Sequence, residues 1–352
     1  MACGNGDARC TAVHAFVAAP GFGRGAIRTT GLGGLAVSSP PPSPKAAHAE
    51  WARRPERSNA ATLRLMTWIS LALGRRAGRV VLALIAGYFL LFAPTARRAS
   101  RTYLTRRLGR APRMAELFRH IHAFASTVHD RIYLLNERFD LLDIRVHGAT
   151  LLLEQVARGE GVLLMGAHMG SFEVIRAVGR QQPGMRVAMV MYEDNARKIN
   201  EALAAINPAA TQDIIPLGQL DSMLQVKARL EDGMIIGMLG DRGLGGDANV
   251  AVDFLGAPAA FPAGPWRMAA MLRRPVFLML GLYRGGNRYD IHFEPLADFS
   301  AVGRDSREAV QREAIARYAA RLEHYLREAP YNWFNFFDFW QGVPDPRRSD
   351  AA

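Results

Sequence analysis

Gly161-Val162-Leu163-Leu164-Met165-Gly166-Ala167-His168-Met169-Gly170-Ser171-Phe172-Glu173 is the stretch that decides the fold. Val162 to Met165 is a short unbroken apolar run, the pattern of a strand buried on both faces. Small residues open a loop after it. Ser171 is a helix cap for a following helix whose apolar face is Phe172, Ile175 and Val178. This places His168 at the C-terminal end of a strand, where open α/β sheets gather their chemistry. Glu173 falls in the first turn of the helix. On one continuous helix, five residues would turn Glu173 about 140° away from His168. The two meet only if His168 lies in the loop, and Gly170 makes that bend inexpensive. A histidine held by a carboxylate is a general base of fixed tautomer. The bland alternatives are a satisfied core histidine and a carboxylate that complements the helix dipole.

Working outward, strands and helices alternate. Short strands are expected at Asp143–His147, Arg186–Met191, Asp213–Pro216 and Met234–Leu239, and helices at Thr150–Arg158, Phe172–Arg180, Ala196–Ala205 and Gln219–Glu231. This is the rhythm of a largely parallel sheet flanked by helices. Further on, strands Val250–Phe254 and Val276–Tyr283 surround a helix, Pro265–Arg273. Arg284-Gly285-Gly286-Asn287 turns the second strand back into Arg288–Phe293 as a hairpin. A long amphipathic helix covers Arg304–Arg327. Phe254 to Pro265 reads as an apolar, Pro- and Gly-rich connector, either a buried loop or the lining of a site for a fatty chain.

The chain has 352 residues and a formal net charge of +12, and that charge is concentrated. Between Arg64 and Arg131 stand 13 arginines, no lysine and two acids, a net of +11. Within that segment lie two apolar blocks, Leu65–Leu73 and Val80–Ala93, separated by Gly74-Arg75-Arg76-Ala77-Gly78-Arg79. The second block, with 14 uncharged residues, is shorter than the roughly 20 a spanning helix needs. Arginines on both sides of an apolar run suit an anionic membrane surface better than a nucleic-acid coat. A buried core helix is the alternative. Residues 1–47, rich in Gly, Ala and Pro, read as a disordered tail. The only cysteines are Cys3 and Cys10, so no disulfide framework or cysteine-based metal site is legible. His120, His122 and His129 lie along a helix from Met114 to Leu135 without converging, as ordinary core or surface histidines do.

Other groups with chemical potential cluster after strands. Gly240-Asp241-Arg242-Gly243 follows one, and Arg242, fixed by Asp241, suits a phosphate or a developing oxyanion. Asp241 and Asp247 do not make a persuasive metal site. Arg197 is a second candidate for a substrate's polar group, and Gly170 is a further substrate-binding candidate. Ser171 lacks the Gly-x-Ser-x-Gly elbow of a hydrolase nucleophile. Tyr331 to Trp340 holds seven aromatics in ten residues. Trp333, Phe336, Phe337 and Trp340 are spaced as a helical stripe, for core packing or for an interfacial belt.

His168, four intervening residues and Glu173, on a strand–loop–helix, resemble the His-x4-acid motif of the lysophospholipid acyltransferase superfamily. Together with Gly240-Asp241-Arg242-Gly243 and the ending Pro330 to Trp340, the chain is similar to the bacterial late lipid A acyltransferases. Within these it resembles acyltransferases of aryl-polyene-type clusters, from about Trp51 to Trp340. The resemblance implies a membrane-associated α/β enzyme without cofactor or metal. His168 and Glu173 would be catalytic, and Arg242, Asp241, Arg197 and Gly170 would serve the substrate. An acyl group would pass from acyl carrier protein or acyl-CoA to a hydroxyl or amine of a membrane lipid or glycolipid. Acyl carrier protein, lipid acceptor and anionic membrane surface are the expected partners, nucleic acid is not, and the cytoplasmic face of the inner membrane is the expected place. The corresponding division is a tail (1–47), an Arg-rich membrane-associated helical segment (48–112), the acyltransferase domain (113–340) and a short tail (341–352). A membrane-attached esterase or thioesterase using the same His168 on water is the alternative, and a lipid-binding scaffold without catalysis is a third.

Overall fold

A computed structural model describes residues 60–181, 185–192, 213–217, 221–243 and 248–341, together with 201, 203, 204, 206, 207 and 343. The expected N-terminal tail, Arg197, Asp247 and most of the helix expected over 196–205 lie outside the described residues.

Nine strands are described: β1 (Asp143–His147), β2 (Val162–Gly166), β3 (Val187–Tyr192), β4 (Ile214–Leu217), β5 (Ile235–Leu239), β6 (Asn249–Phe254), β7 (Ala257–Pro262), β8 (Pro275–Gly285) and β9 (Arg288–Asp298). Seven form one sheet in the order β1-β9-β8-β2-β5-β3-β4. Every neighbouring pair is parallel except the β8–β9 hairpin. The expectation of an α/β fold with a largely parallel sheet is met. β2 is buried at all five positions and β5 at its first four. Helices cover both faces of such a sheet, which is why these strands are apolar runs and not alternating ones.

The helices are α1 (Ala60–Phe92), α2 (Pro94–Leu108), α3 (Met114–Leu135), α4 (Thr150–Ala157), α5 (Phe172–Gln181), α6 (Ser222–Glu231), α7 (Gly264–Leu272) and α8 (Arg307–Glu328). The two N-terminal apolar blocks belong to one kinked helix, broken only at Gly74 (φ 78°, ψ 168°). Leu82 and Ile85 of α1 pack on Ala125 and Ile132 of α3. Arg75 forms an ion pair with Asp130 of α3 at 2.7 Å and also donates to the Gly286 carbonyl in the β8–β9 turn. Tyr103 and Leu104 of α2 are buried in the main core, where the Tyr103 hydroxyl donates to Pro330 O. Part of the Arg-rich segment is therefore turned inward, because buried carboxylates and carbonyls use it. Arg76, Arg98, Arg101 and Arg113 remain exposed.

The opposite side of α1 is apolar and open: Val80 is 68 % exposed, Leu84 73 % and Leu91 61 %. These positions fall within about 40° of each other around the helix, away from Leu82, Ile85 and Leu90. No single described helix is long and apolar enough to cross a membrane. Thr67–Phe92 and Pro94–Leu108 meet that requirement only as a pair, bent by 93°.

Two local expectations are corrected. The Phe254–Pro265 connector is not a loop. Ala257–Pro262 is β7, paired antiparallel with β6 across Leu255 (φ 50°) and Gly256 (φ 76°). Two consecutive positive φ values make the twisted turn a tight hairpin needs, and the prolines sit in a two-stranded ribbon where no second ladder asks for their missing N–H. The aromatic ending is not helical either. It runs as irregular chain with a single bridge, Met169 to Trp333. Trp333, Phe334, Phe336, Phe339 and Trp340 are nonetheless buried. Phe254 and Phe261 of the β6–β7 ribbon pack against this run.

Candidate active site

β2 and β5 are adjacent and parallel, with Gly166 opposite Leu239. Two residues beyond each of these strand ends stand His168 and Asp241. Their side chains meet: His168 Nδ1 lies 2.8 Å from Asp241 Oδ1. The same carboxylate binds the His168 backbone N–H at 3.0 Å through Oδ2, which also accepts Trp333 Nε1–H at 3.1 Å and Asn335 Nδ2–H at 3.0 Å. Asp241 is buried, whereas the His168 side chain keeps 29 % exposure. The imidazole is thus held at Nδ1 by a buried carboxylate while part of its side chain stays accessible.

The loop that carries His168 is pinned along its length. Phe334 N–H donates to His168 O (2.7 Å), Gly170 N–H to Asn332 O (2.8 Å) and Ser171 N–H to Gly281 O (2.7 Å). Gly170 has φ 70°, and a Cβ there would collide with the Gly281 carbonyl oxygen. Only glycine satisfies both conditions. Below the loop, Tyr318 of α8 donates to Gly166 O at 2.7 Å. Asn332 closes a two-bond pairing with the Tyr283 backbone in β8. His120 supports the other side: its Nε2–H donates to Trp333 O and its Nδ1 accepts from Ser100 Oγ, both at 2.7 Å. Burial pushes this imidazole down to about 4, so it is a neutral core histidine.

Protonation follows from these contacts. Burial favours the neutral acid at Asp241, but the His168 imidazole and its N–H bonds, with Arg242 behind them, outweigh burial and hold the carboxyl well below the usual carboxylate range. An ionised carboxylate only accepts, so His168 Nδ1 carries the proton and Nε2 carries the lone pair. Burial, then the Arg242 charge, lowers the His168 imidazole below its ordinary value, and Asp241 only partly opposes them. The ring is neutral at pH 7, positioned as a base.

Arg242 is joined to this group through Asn335. Its Nε donates to Asn335 Oδ1 at 2.5 Å, one terminal nitrogen donates to Phe334 O at 2.9 Å, and the guanidinium stands 5.3 Å from the Phe337 ring centre. Burial brings Arg242 down to about 10, still a cation at neutral pH. The expectation that Asp241 fixes Arg242 is corrected: Asp241 holds His168, and Asn335 bridges the two.

Glu173 does not reach the imidazole. It is buried and paired with Arg176 one turn along α5, at 2.8 Å, with Arg131 of α3 at 3.8 Å. The expected His168–Glu173 contact is therefore replaced by His168–Asp241. The physical reason lies in strand order, since β5 lies beside β2 and brings a closer carboxylate to the ring. The supporting roles of Asn335, Trp333 and His120 are the other residues that sequence reasoning did not place. The buried Asn332 and Asn335 between aromatics were the available signal, because a buried amide must find partners.

Residues 113–341 match the family model described as bacterial lipid A biosynthesis acyltransferase. A search of curated proteins returned no match.

Proposed function

Because the chain belongs to the bacterial lipid A biosynthesis acyltransferase family, and so acts as an acyltransferase on lipid, we propose that it moves a fatty acyl group from a thioester to a hydroxyl or amine of a lipid or glycolipid acceptor. The observation that carries this reading is the His168–Asp241 pair, with Nδ1 held at 2.8 Å by a buried carboxylate on a side chain that keeps 29 % exposure. Nε2 takes the acceptor's proton as the acceptor oxygen or nitrogen attacks the thioester carbonyl. The tetrahedral intermediate collapses, the C–S bond breaks, and the imidazolium returns the proton to the leaving thiolate. Asp241 stabilises the imidazolium between these steps without itself taking a proton. The N–H groups of residues 168–171 are all engaged within the protein. Positive charge at the oxyanion therefore falls to Arg242, whose field already reaches His168.

The donor in this reading is acyl carrier protein or acyl-CoA, and the acceptor is lipid A-like or a polyene lipid. Arg197 and Gly170 remain proposed substrate contacts. The enzyme works at the cytoplasmic face of the inner membrane, a placement supported by the open apolar stripe on α1 beside exposed Arg76, Arg98 and Arg101. Glu173 acts at a distance, by anchoring α5 through Arg176.

The test is transfer of labelled acyl groups from acyl carrier protein, or from CoA, into total bacterial lipid. Asp241→Asn, which reverses the tautomer preference, should lower turnover by about 10²- to 10⁴-fold, as should His168→Ala. Glu173→Gln should retain far more activity. Equal losses for Glu173→Gln and Asp241→Asn would return the orienting role to Glu173. Label released only as free fatty acid would make the protein a thioesterase.

A further inference from the structure

A second cluster of side chains lies on the other arm of the sheet. β1 and β9 run parallel with His147 opposite His292 and Arg145 opposite Asp290. Period-two alternation puts His147, Asp290 and His292 on one face. The two imidazoles stack with centres 4.8 Å apart and planes 16° apart. One ligand-type atom from each of His147, Asp290 and His292 lies within 4.8 Å of the others.

Asp290 is buried and His292 half-buried, and each has a buried polar atom whose hydrogen-bonding capacity is unused among the described residues. Asp290 is 8 % exposed. Arg284 Nε binds its Oδ2 at 2.7 Å, while its Oδ1 has no hydrogen bond among the described residues. His292 Nε2 is in the same condition. A buried carboxylate oxygen and a buried imidazole nitrogen left without hydrogen bonds, two residues apart on one face, are costly, and native proteins pair such groups or give them a ligand. Proton sharing with a further carboxylate does not answer this. Glu294, next on the same face of β9, is taken by Arg321 and Tyr325, and Glu328 by Arg284 and His324.

We propose that His147, Asp290 and His292 form a binding site for a zinc-class divalent cation, clipping the edge strand β1 to β9. Two imidazole nitrogens and one carboxylate oxygen suit such an ion, with water in the fourth position. Tetrahedral coordination brings donor atoms to about 3.4 Å from each other. The present separation of up to 4.8 Å leaves a short closure, and His147, the exposed member, is the one with the most room to move. Arg284 on Oδ2 is then the outer partner that orients the metal-binding carboxylate. Arg288 Nε stands 3.9 Å from Oδ1 and Arg145 is held by Asp143 at 3.0 Å, so both are displaceable surface cations and neither a tight competitor. The neutral form of His292 is the ligating one, and burial followed by the neighbouring His147 favours it.

This site is separate from His168. β9 is one strand beyond β8, which carries the Gly281 bridge to Gly170. The cation would therefore act on the fold and not on the acyl transfer, and its test is independent of the proposed activity. Tag-free, chelator-treated full-length protein would be titrated with Co²⁺ by visible absorption and with Zn²⁺ by calorimetry. One equivalent should bind, with Zn²⁺ displacing Co²⁺ and raising the melting temperature. His147→Ala, at an exposed position, should keep the metal-free melting temperature and lose at least ~10-fold in affinity. Asp290→Asn and His292→Ala should lose as much or more, and His168→Ala nothing. Binding weaker than about 1 mM in the wild type, or unchanged affinity in folded His147→Ala, would overturn the site.

Discussion

At the scale of single residues, Asp241 is the pivot. It accepts four hydrogen bonds, from two groups of His168 and from Trp333 and Asn335. It therefore sets both the tautomer and the position of the imidazole. Arg242 sets the pH range. Its charge, after burial, keeps His168 neutral below the ordinary histidine value. The base is active when unprotonated, so activity should fall on the acid side, with a midpoint below about 6.5. Arg242→Gln removes a lowering influence. The acid limb of the kcat/KM profile should then shift to higher pH, alongside a loss of turnover. A limb that stays in place would show that Arg242 does not act on His168 electrostatically.

At the scale of elements, the β2–α5 loop works because three separate segments clamp it: the irregular ending around Asn332 to Phe334, β8 at Gly281, and β5 through Asp241. Gly170 is the tightest point of that clamp. Gly170→Ala should cost at least about 2 kcal/mol, since left-handed strain adds to a backbone collision that cannot relax. Gly256 has a similar φ of 76° in open space. Gly256→Ala should cost only the strain, about 1 kcal/mol. Urea unfolding of the two variants separates the collision from the strain, and equal costs would refute the clamp. The motif at 161–173 was readable as strand, loop and helix because its apolar run and small residues are local signals. The pairing of His168 with Asp241 was not, because residues 73 apart meet only through the order of strands in the sheet. The β7 strand is not legible for the related reason that prolines usually argue against a strand, and β7 admits them because it pairs on one side only.

At the scale of the whole molecule, α1 presents one face to the core and one to solvent. Leu82 is 1 % exposed while Leu84, two residues on, is 73 % exposed. An exposed apolar stripe beside arginines has the form of an interfacial helix. On the proposed membrane seating, Leu84→Lys combined with Val80→Lys should move the protein from the membrane fraction to the soluble fraction. Its stability should change by no more than about 0.5 kcal/mol per site, as expected of exposed positions. Continued sedimentation with membranes at low and high salt would show that the stripe is not the anchor. Arg75, by contrast, was read as membrane-facing charge from its neighbours and is an internal ion pair with Asp130. Charge runs do not announce which members fold inward.

The sequence alone determined the alternation of strand and helix, the buried character of β2 and β5, the β8–β9 turn and the placement of His168 at a strand end. Each of these depends on neighbours within a few residues, where periodicity and turn chemistry act directly. Tertiary structure decided which carboxylate meets the imidazole, that Asn335 links Asp241 to Arg242, that Glu173 serves α5, and that His147, Asp290 and His292 share one face. These depend on which strands lie side by side, and strand order is fixed by the packing of the whole core, not by any local run of residues.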